Sequence, residues 1–155
     1  MGLEIIKGKE RKRILNLLNR QFEISEIPGT LLKRGKQRLF LFQGDVNEQE
    51  LKKIEKCAWI ERAGVYFGKE EKEGIRLSIE GSQILGRQIK KNIFELDKEM
   101  AEKWMSGQEL PIKTGKKGFL VIKCGQDFLG TGKASENKIG NFIPKSRRLK
   151  NKEKI

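Results

Sequence analysis

The 155-residue chain contains no histidine, only two cysteines, three prolines and 7% aromatic residues, and its 21 acidic side chains face 34 basic ones. Without histidine, Ser-His-Asp and Cys-His nucleophile systems, imidazole acid–base chemistry and His-ligated metal sites are excluded. The cysteines, Cys57 and Cys124, lie far apart inside apolar runs, the setting of a small buried hydrophobe. They could pair only with each other. The sequence shows neither a signal peptide nor the cysteine density of a secreted scaffold, so a reducing compartment, the cytoplasm, is expected. No apolar run approaches the roughly 20 residues of a membrane span, which predicts a soluble protein with no membrane partner. The opening MGLEII also lacks the Ser or Thr that N-myristoylation needs. Aspartate occurs only at Asp45, Asp97 and Asp127, each beside turn or capping signals, and no carboxylate pair is spaced for hydrolysis.

What the chain has in excess is positive charge. The formal net charge is +13, which puts anionic partners, nucleic acid first, at the head of the candidates. A heat-adapted surface is also rich in Lys and Glu, but it gains both signs together and leaves no such imbalance. A hydrophobic fraction of 36% supports a modest core, in one domain or two small ones.

Periodicity outlines the first part. Over 10–22, Ile14, Leu15, Leu17, Leu18 and Phe22 fall at helical spacing, with Arg11, Lys12, Arg13, Asn16 and Arg20 on the other side. Such a helix can pack on a sheet or touch RNA with its basic face, and the packed surface helix is the ordinary outcome. Pro28-Gly29 breaks the chain, and TLLK and RLFLF then flank Arg34-Gly35-Lys36 as a hairpin whose continuously apolar second strand should be central. Asn47 and Glu50 form a capping-box pattern, stapled by Val46, for a short helix with Leu51 and Ile54 buried and an end near Lys56. Strands are expected over 59–67 and 75–79, with EEKEG as a long charged tip. Gly81 and Gly86 bracket SQIL, a turn or short helix closing the first unit, and Arg87, Lys90 and Lys91 form a basic connection.

The pattern then restarts. IFEL reads as a short strand, Asp97 as the N-cap of a helix with Met100, Ala101, Trp104 and Met105 on one apolar face, and Gly107 as its stop. Beyond Pro111, FLVIKC and FLGTGKA are separated by Gly125, Gln126 and Asp127, the chemistry of a tight hairpin. KIGNFIP follows and opens into Lys145, Ser146, Arg147, Arg148 and Lys150. No catalytic group falls in this stretch, and its excess of cations suits a polyanion read through its phosphates. The final NKEKI has no apolar pattern and should fray. The expected organisation is therefore an N-terminal α/β unit over 1–90, a second unit over 91–150 and a frayed tail over 151–155, in an α+β chain.

The segments FELDKEMAEKWMSGQELPI, GFLVIKCGQDFLGTGKA and NFIPKSRR resemble a PUA domain, the RNA-binding module shared by pseudouridine synthases and archaeosine transglycosylases. GVYFGKEEKEGIRLSIEGSQIL resembles the region preceding the PUA domain in Nip-seven-like ribosome-biogenesis factors, and NFIPKSRR is similar to the PUA-like tails of Sun/Nop-type RNA cytosine methyltransferases. The resemblance implies a pseudo-barrel following a pre-PUA unit. It implies RNA contacts at Gly107 and the loop after it, with Lys113, Lys116 and Lys117, at Lys133, and at Lys145, Arg147, Arg148 and Lys150. A glycine at 107 would let a backbone approach a phosphate or ribose closely, and a plain helix cap serves the same residue equally well. Phe128 and Phe142 are the only candidates for stacking platforms in this segment, and core positions suit both better.

Gly130-Thr131-Gly132-Lys133 is not a phosphate-binding loop. That motif opens with a glycine where Asp127 stands and carries Ser or Thr where Ala134 stands. A methyl-donor fold would need a doubly wound sheet for which there is neither length nor pattern. No catalytic residue, metal ligand or cofactor is assigned. The resulting expectation is a non-catalytic RNA-binding protein acting on rRNA or tRNA in ribosome biogenesis or RNA modification, with a methyltransferase or ribosome-assembly protein as possible company. The alternative is an accessory subunit that binds RNA in trans for an RNA methyltransferase, with the N-terminal unit as its protein interface.

Overall fold

The computed structural model describes residues 3–43, 49 and 64–150. Two sheets make up the molecule. The first runs in the order β1 (Leu3–Ile6), β2 (Thr30–Arg34), β3 (Arg38–Phe42), β4 (Val65–Glu71) and β5 (Gly74–Leu77), with every neighbouring pair antiparallel. As its apolar run RLFLF demands, β3 lies at the centre. Helix α1 (Gly8–Phe22) joins β1 to β2 and buries Ile14, Leu18 and Phe22. Near its end, the Gln21 amide donates to Ile75 O (3.0 Å) and accepts from Ile75 N (2.8 Å). That side chain stands in for a further strand along the edge of β5, satisfying backbone groups the sheet itself leaves open.

Three details depart from the sequence expectation. β1 was not anticipated: LEII is only four residues long and its burial is not strictly alternating, so period-2 reading has little to hold. The charged hairpin tip is short, because Glu70 and Glu71 belong to β4 and only Lys72 and Glu73 turn. Ile79, expected at the end of the 75–79 strand, instead opens helix α2 (Ile79–Leu85), which contains SQIL and is capped by Ser78, whose hydroxyl accepts from Gly81 N at 2.9 Å. Asp45, the capping pattern of Asn47 and Glu50, the stripe of Leu51 and Ile54, Cys57 and the first part of the 59–67 strand lie outside the described residues.

The second sheet has the order β6 (Ile93–Glu95), β7 (Gly118–Cys124), β8 (Asp127–Ala134) and β9 (Ile139–Gly140). β6 is parallel to β7, and helix α3 (Lys98–Met105) makes the crossover that parallel neighbours require. Asp97 caps α3, its carboxylate accepting from Met100 N at 2.8 Å, a contact of a kind worth about 1 kcal/mol. β7 and β8 form the expected hairpin through Gly125 and Gln126, whereas the third run pairs only over two residues before leaving the sheet.

β7 is buried on both faces, which is why GFLVIKC has no polar alternation. Phe119 and Val121 pack in one cluster with Phe67, Ile75, Leu77 and Leu85 of the first sheet and α2, while Ile122 packs with Trp104, Leu110 and Ile139. Ile79 of α2 belongs to that second cluster. The hydrophobic core thus runs continuously from one sheet to the other.

Candidate nucleic-acid interface

The end of α3 is held by three separate ties. Buried Trp104 donates its indole N–H to Leu129 O on β8 at 2.9 Å. Gly132 makes room for that ring, since a Cβ there would lie 2.7 Å from Trp104 Cη2. The Asn141 amide donates to both Trp104 O (2.8 Å) and Gln108 O (2.9 Å), and its oxygen accepts from Ile143 N (2.7 Å). Finally, Leu149 N donates to Met105 O at 2.8 Å. Helix, β8 and the C-terminal segment are therefore one unit, and Asn141 is a positioning residue that sequence reading missed: an Asn after a strand carries no signal beyond turn propensity.

Gly107 has φ +92 and stops α3, its N–H donating to Trp104 O at 2.9 Å. The space left by its missing side chain is occupied. A Cβ at this position would meet Arg148 Nε at 2.5 Å and Cδ at 2.6 Å. Half-buried Arg148 crosses the glycine and donates from Nε to Ile143 O at 3.0 Å. The close approach that Gly107 permits is made by an internal arginine.

Two more of the anticipated cations are engaged inside the molecule. Arg147 bonds both carboxylate oxygens of Glu80 on α2, at 2.7 and 2.5 Å. Lys133 Nζ lies 3.0 Å from Glu73 Oε1, and that hydrogen bond holds the Glu73 carboxyl below its ordinary value. Within the C-terminal cluster Arg148 is thus half-buried, and Arg147, though exposed, is paired. Position alone could not show this, because the acceptors Glu80 and Ile143 O come from a distant helix and from a turn of the chain itself.

Lys113, Lys116 and Lys117 are different. All three are exposed, on the loop between the Leu110 bridge and β7, and among the described residues none has an acidic partner. Thr114 shapes the loop, its hydroxyl accepting from Lys116 N at 3.0 Å. Lys117 precedes Gly118, which pairs with Ala134, so the loop flanks the turn between β8 and β9. There Lys138 neutralises Glu109 at 3.0 Å. Lys145 opens the 3-10 turn Lys145–Arg147 and is exposed, as is Lys150.

The basic face of α1 is partly consumed as well. Arg13 bonds Glu70 and Glu10, which keeps its guanidinium charged and pulls both carboxyls below their usual range, with Arg13's hydrogen bonds the largest cause. Arg11 donates to Ile27 O at 2.8 Å. Phe128 and Phe142 are both half-buried against the shared core, as core positions require. Among the described residues no group of three His, Cys, Asp or Glu side chains could hold a metal ion.

A parallel strand joined by a capped helix to a glycine-bearing hairpin, with the C-terminal segment folded back on the helix end, occupies residues 91–149. Over that same segment the chain matches the family model described as the methyltransferase RsmF PUA domain. The C-terminal unit is a PUA domain. A PUA domain is a non-catalytic RNA-binding module, and the lysine loop, the Asn141 tie and the Arg148 crossing all fall inside it. The resemblance to the tails of RNA methyltransferases is carried by this segment. No curated protein matches the chain.

Proposed function

We propose that the chain is a non-catalytic RNA-binding protein that engages rRNA or tRNA in ribosome biogenesis or RNA modification, in the cytoplasm, through phosphate contacts of its PUA domain. The observation that carries this reading is the loop with Lys113, Lys116 and Lys117, three exposed lysines without an acidic partner among the described residues, in a chain of net charge +13. Unpaired ammonium groups need no internal ion pair to be broken before they meet a phosphate. Lys145 extends the same chemistry. Lys133 and Arg147 pair with Glu73 and Glu80 of the first unit, and Arg148 bonds Ile143 O within the domain.

The test is a titration of a structured RNA at several salt concentrations with the protein and its Lys113→Ala/Lys116→Ala/Lys117→Ala variant. Each lost phosphate contact lowers the slope of log K against log salt by about 0.9, so the triple variant should lose about 2–3 from the slope. A folded variant with unchanged affinity and slope would refute the loop as the contact.

A second reading is favoured by the name of the matching family. A PUA domain described from a methyltransferase supports an accessory role, in which this chain delivers RNA in trans to a separate methyltransferase and the N-terminal sheet is the protein interface. Co-purification of a methyltransferase with the native protein, lost on disrupting the first sheet, separates the two readings.

A further inference from the structure

Between the two sheets lies a cleft enclosing about 50 Å³, whose lining includes Tyr66, Arg76, Ser78, Thr131, Phe142 and Arg147. Two buried side-chain atoms of its lining residues lack a hydrogen-bond partner, Arg76 Nε, which has an ion-pair contact with Glu71, and Thr131 Oγ1. Thr131 is 3% exposed and its hydroxyl has no hydrogen-bond partner, whereas the Ser78 hydroxyl is saturated by Gly81 N and by the carbonyls of Tyr66 and Phe67. Thr131 lines the cleft, and a buried hydroxyl without a partner marks the place of a missing polar atom.

The cations at this cleft are already neutralised. Arg76 Nε lies 2.6 Å from Glu71 Oε2, and Arg147 is bonded to Glu80. A phosphate would have to displace both carboxylates, so the cleft suits an uncharged polar group. Its walls are flat and π-bearing: the Arg76 guanidinium lies over the Phe142 ring, 4.1 Å from the centroid, beside half-buried Tyr66. Aromatic and guanidinium planes with one edge-facing hydrogen-bonding group are the surroundings in which unpaired bases are held. The space is enough for the polar edge of a base whose ring stays at the mouth. Exposed Lys145 follows the lining residue Pro144 and can take the adjoining phosphate.

We propose that this cleft receives the edge of one unpaired nucleobase of the bound RNA, with Thr131 Oγ1 as its hydrogen-bonding partner. The inference rests on the RNA-binding reading above and adds a base-contacting site to it.

The experiment compares two RNA hairpins that differ only by a single-nucleotide bulge, titrated with the full chain and with Thr131→Val and Thr131→Ser at several salt concentrations. The wild type should prefer the bulged RNA. Thr131→Val, which keeps the shape and removes the hydroxyl, should bind the bulged RNA about five-fold more weakly with an unchanged salt slope, because a base contact and no phosphate contact is lost. Thr131→Ser should retain the preference, and melting curves confirm that both variants are folded. Equal, salt-dependent binding of both RNAs by the wild type, or a preference that survives Thr131→Val, overturns the base site and leaves the phosphate reading standing. Binding of neither RNA removes both.

Discussion

Replacing Gly107 by Ala tests the most specific contact of the PUA domain. Two costs combine. A side chain at φ +92 sits in backbone space that L-residues rarely adopt, worth about 1–3 kcal/mol. The new Cβ also falls 2.5 Å from Arg148 Nε, so the arginine must move and its bond to Ile143 O is lost, about 1 kcal/mol more. The expected loss is about 2–4 kcal/mol, or roughly 4–16 °C in Tm for a chain of this size. Arg148→Ala removes the obstacle, so Gly107→Ala in that background should cost only the backbone part, and the cycle should show a coupling of about 1 kcal/mol. Urea unfolding of the four proteins measures it. If Gly107→Ala costs the same whether or not Arg148 is present, the crossing of Arg148 over the glycine plays no energetic role and the account of this helix end is wrong.

The double variant Arg147→Ala/Arg148→Ala should lose about 1–2 kcal/mol of stability, through the bond to Ile143 O and the half-exposed pair with Glu80, yet change the RNA salt slope by less than about one; a fall of two with full stability would return these arginines to the phosphate surface. Acid should weaken the fold through Glu10 and Glu70. Their folded values lie below 4.5, so the stabilisation is fully present above that pH and disappears as pH drops through the folded values, and Arg13→Ala should flatten the dependence of Tm on pH in the acid range.

Where a single physical signal was strong, the sequence was enough. The stripe of Ile14, Leu18 and Phe22 located α1, Asp97 and Gly107 bounded α3, and the apolar run of β3 placed it at the centre. The PUA domain was legible from its own segments. What could not be read were contacts between distant residues. Nothing local distinguishes Arg147, which meets Glu80 sixty-seven positions away, from Lys116, which meets no acid among the described residues. Both look like cations in a basic tract, and only the fold separates the paired from the unpaired. The same holds for Thr131, read first as part of a failed phosphate loop and found as a buried hydroxyl without a partner.

The joint between the two units bears on how RNA would be presented. Asn92 donates to Gln21 O at 2.5 Å, Lys90 N to Phe22 O at 3.0 Å, and Gly130 N to Ser82 Oγ at 3.0 Å, so both the connection and β8 are tied to helices of the first unit. Ile79 from α2 sits in the Trp104 cluster, and Phe119 and Val121 from β7 sit in the cluster of α1. Each unit therefore completes the other's core, and separating them would expose apolar surface on both sides of β7, at about 25 cal/mol per Å². Two salt bridges, Arg147 to Glu80 and Lys133 to Glu73, add direction to that burial while contributing little energy of their own. The lysine loop is thereby carried on a PUA domain whose orientation is fixed by the first sheet. An RNA reaching both the loop and the cleft would have to match one rigid spacing, so its shape would be selected even though its phosphates carry no sequence.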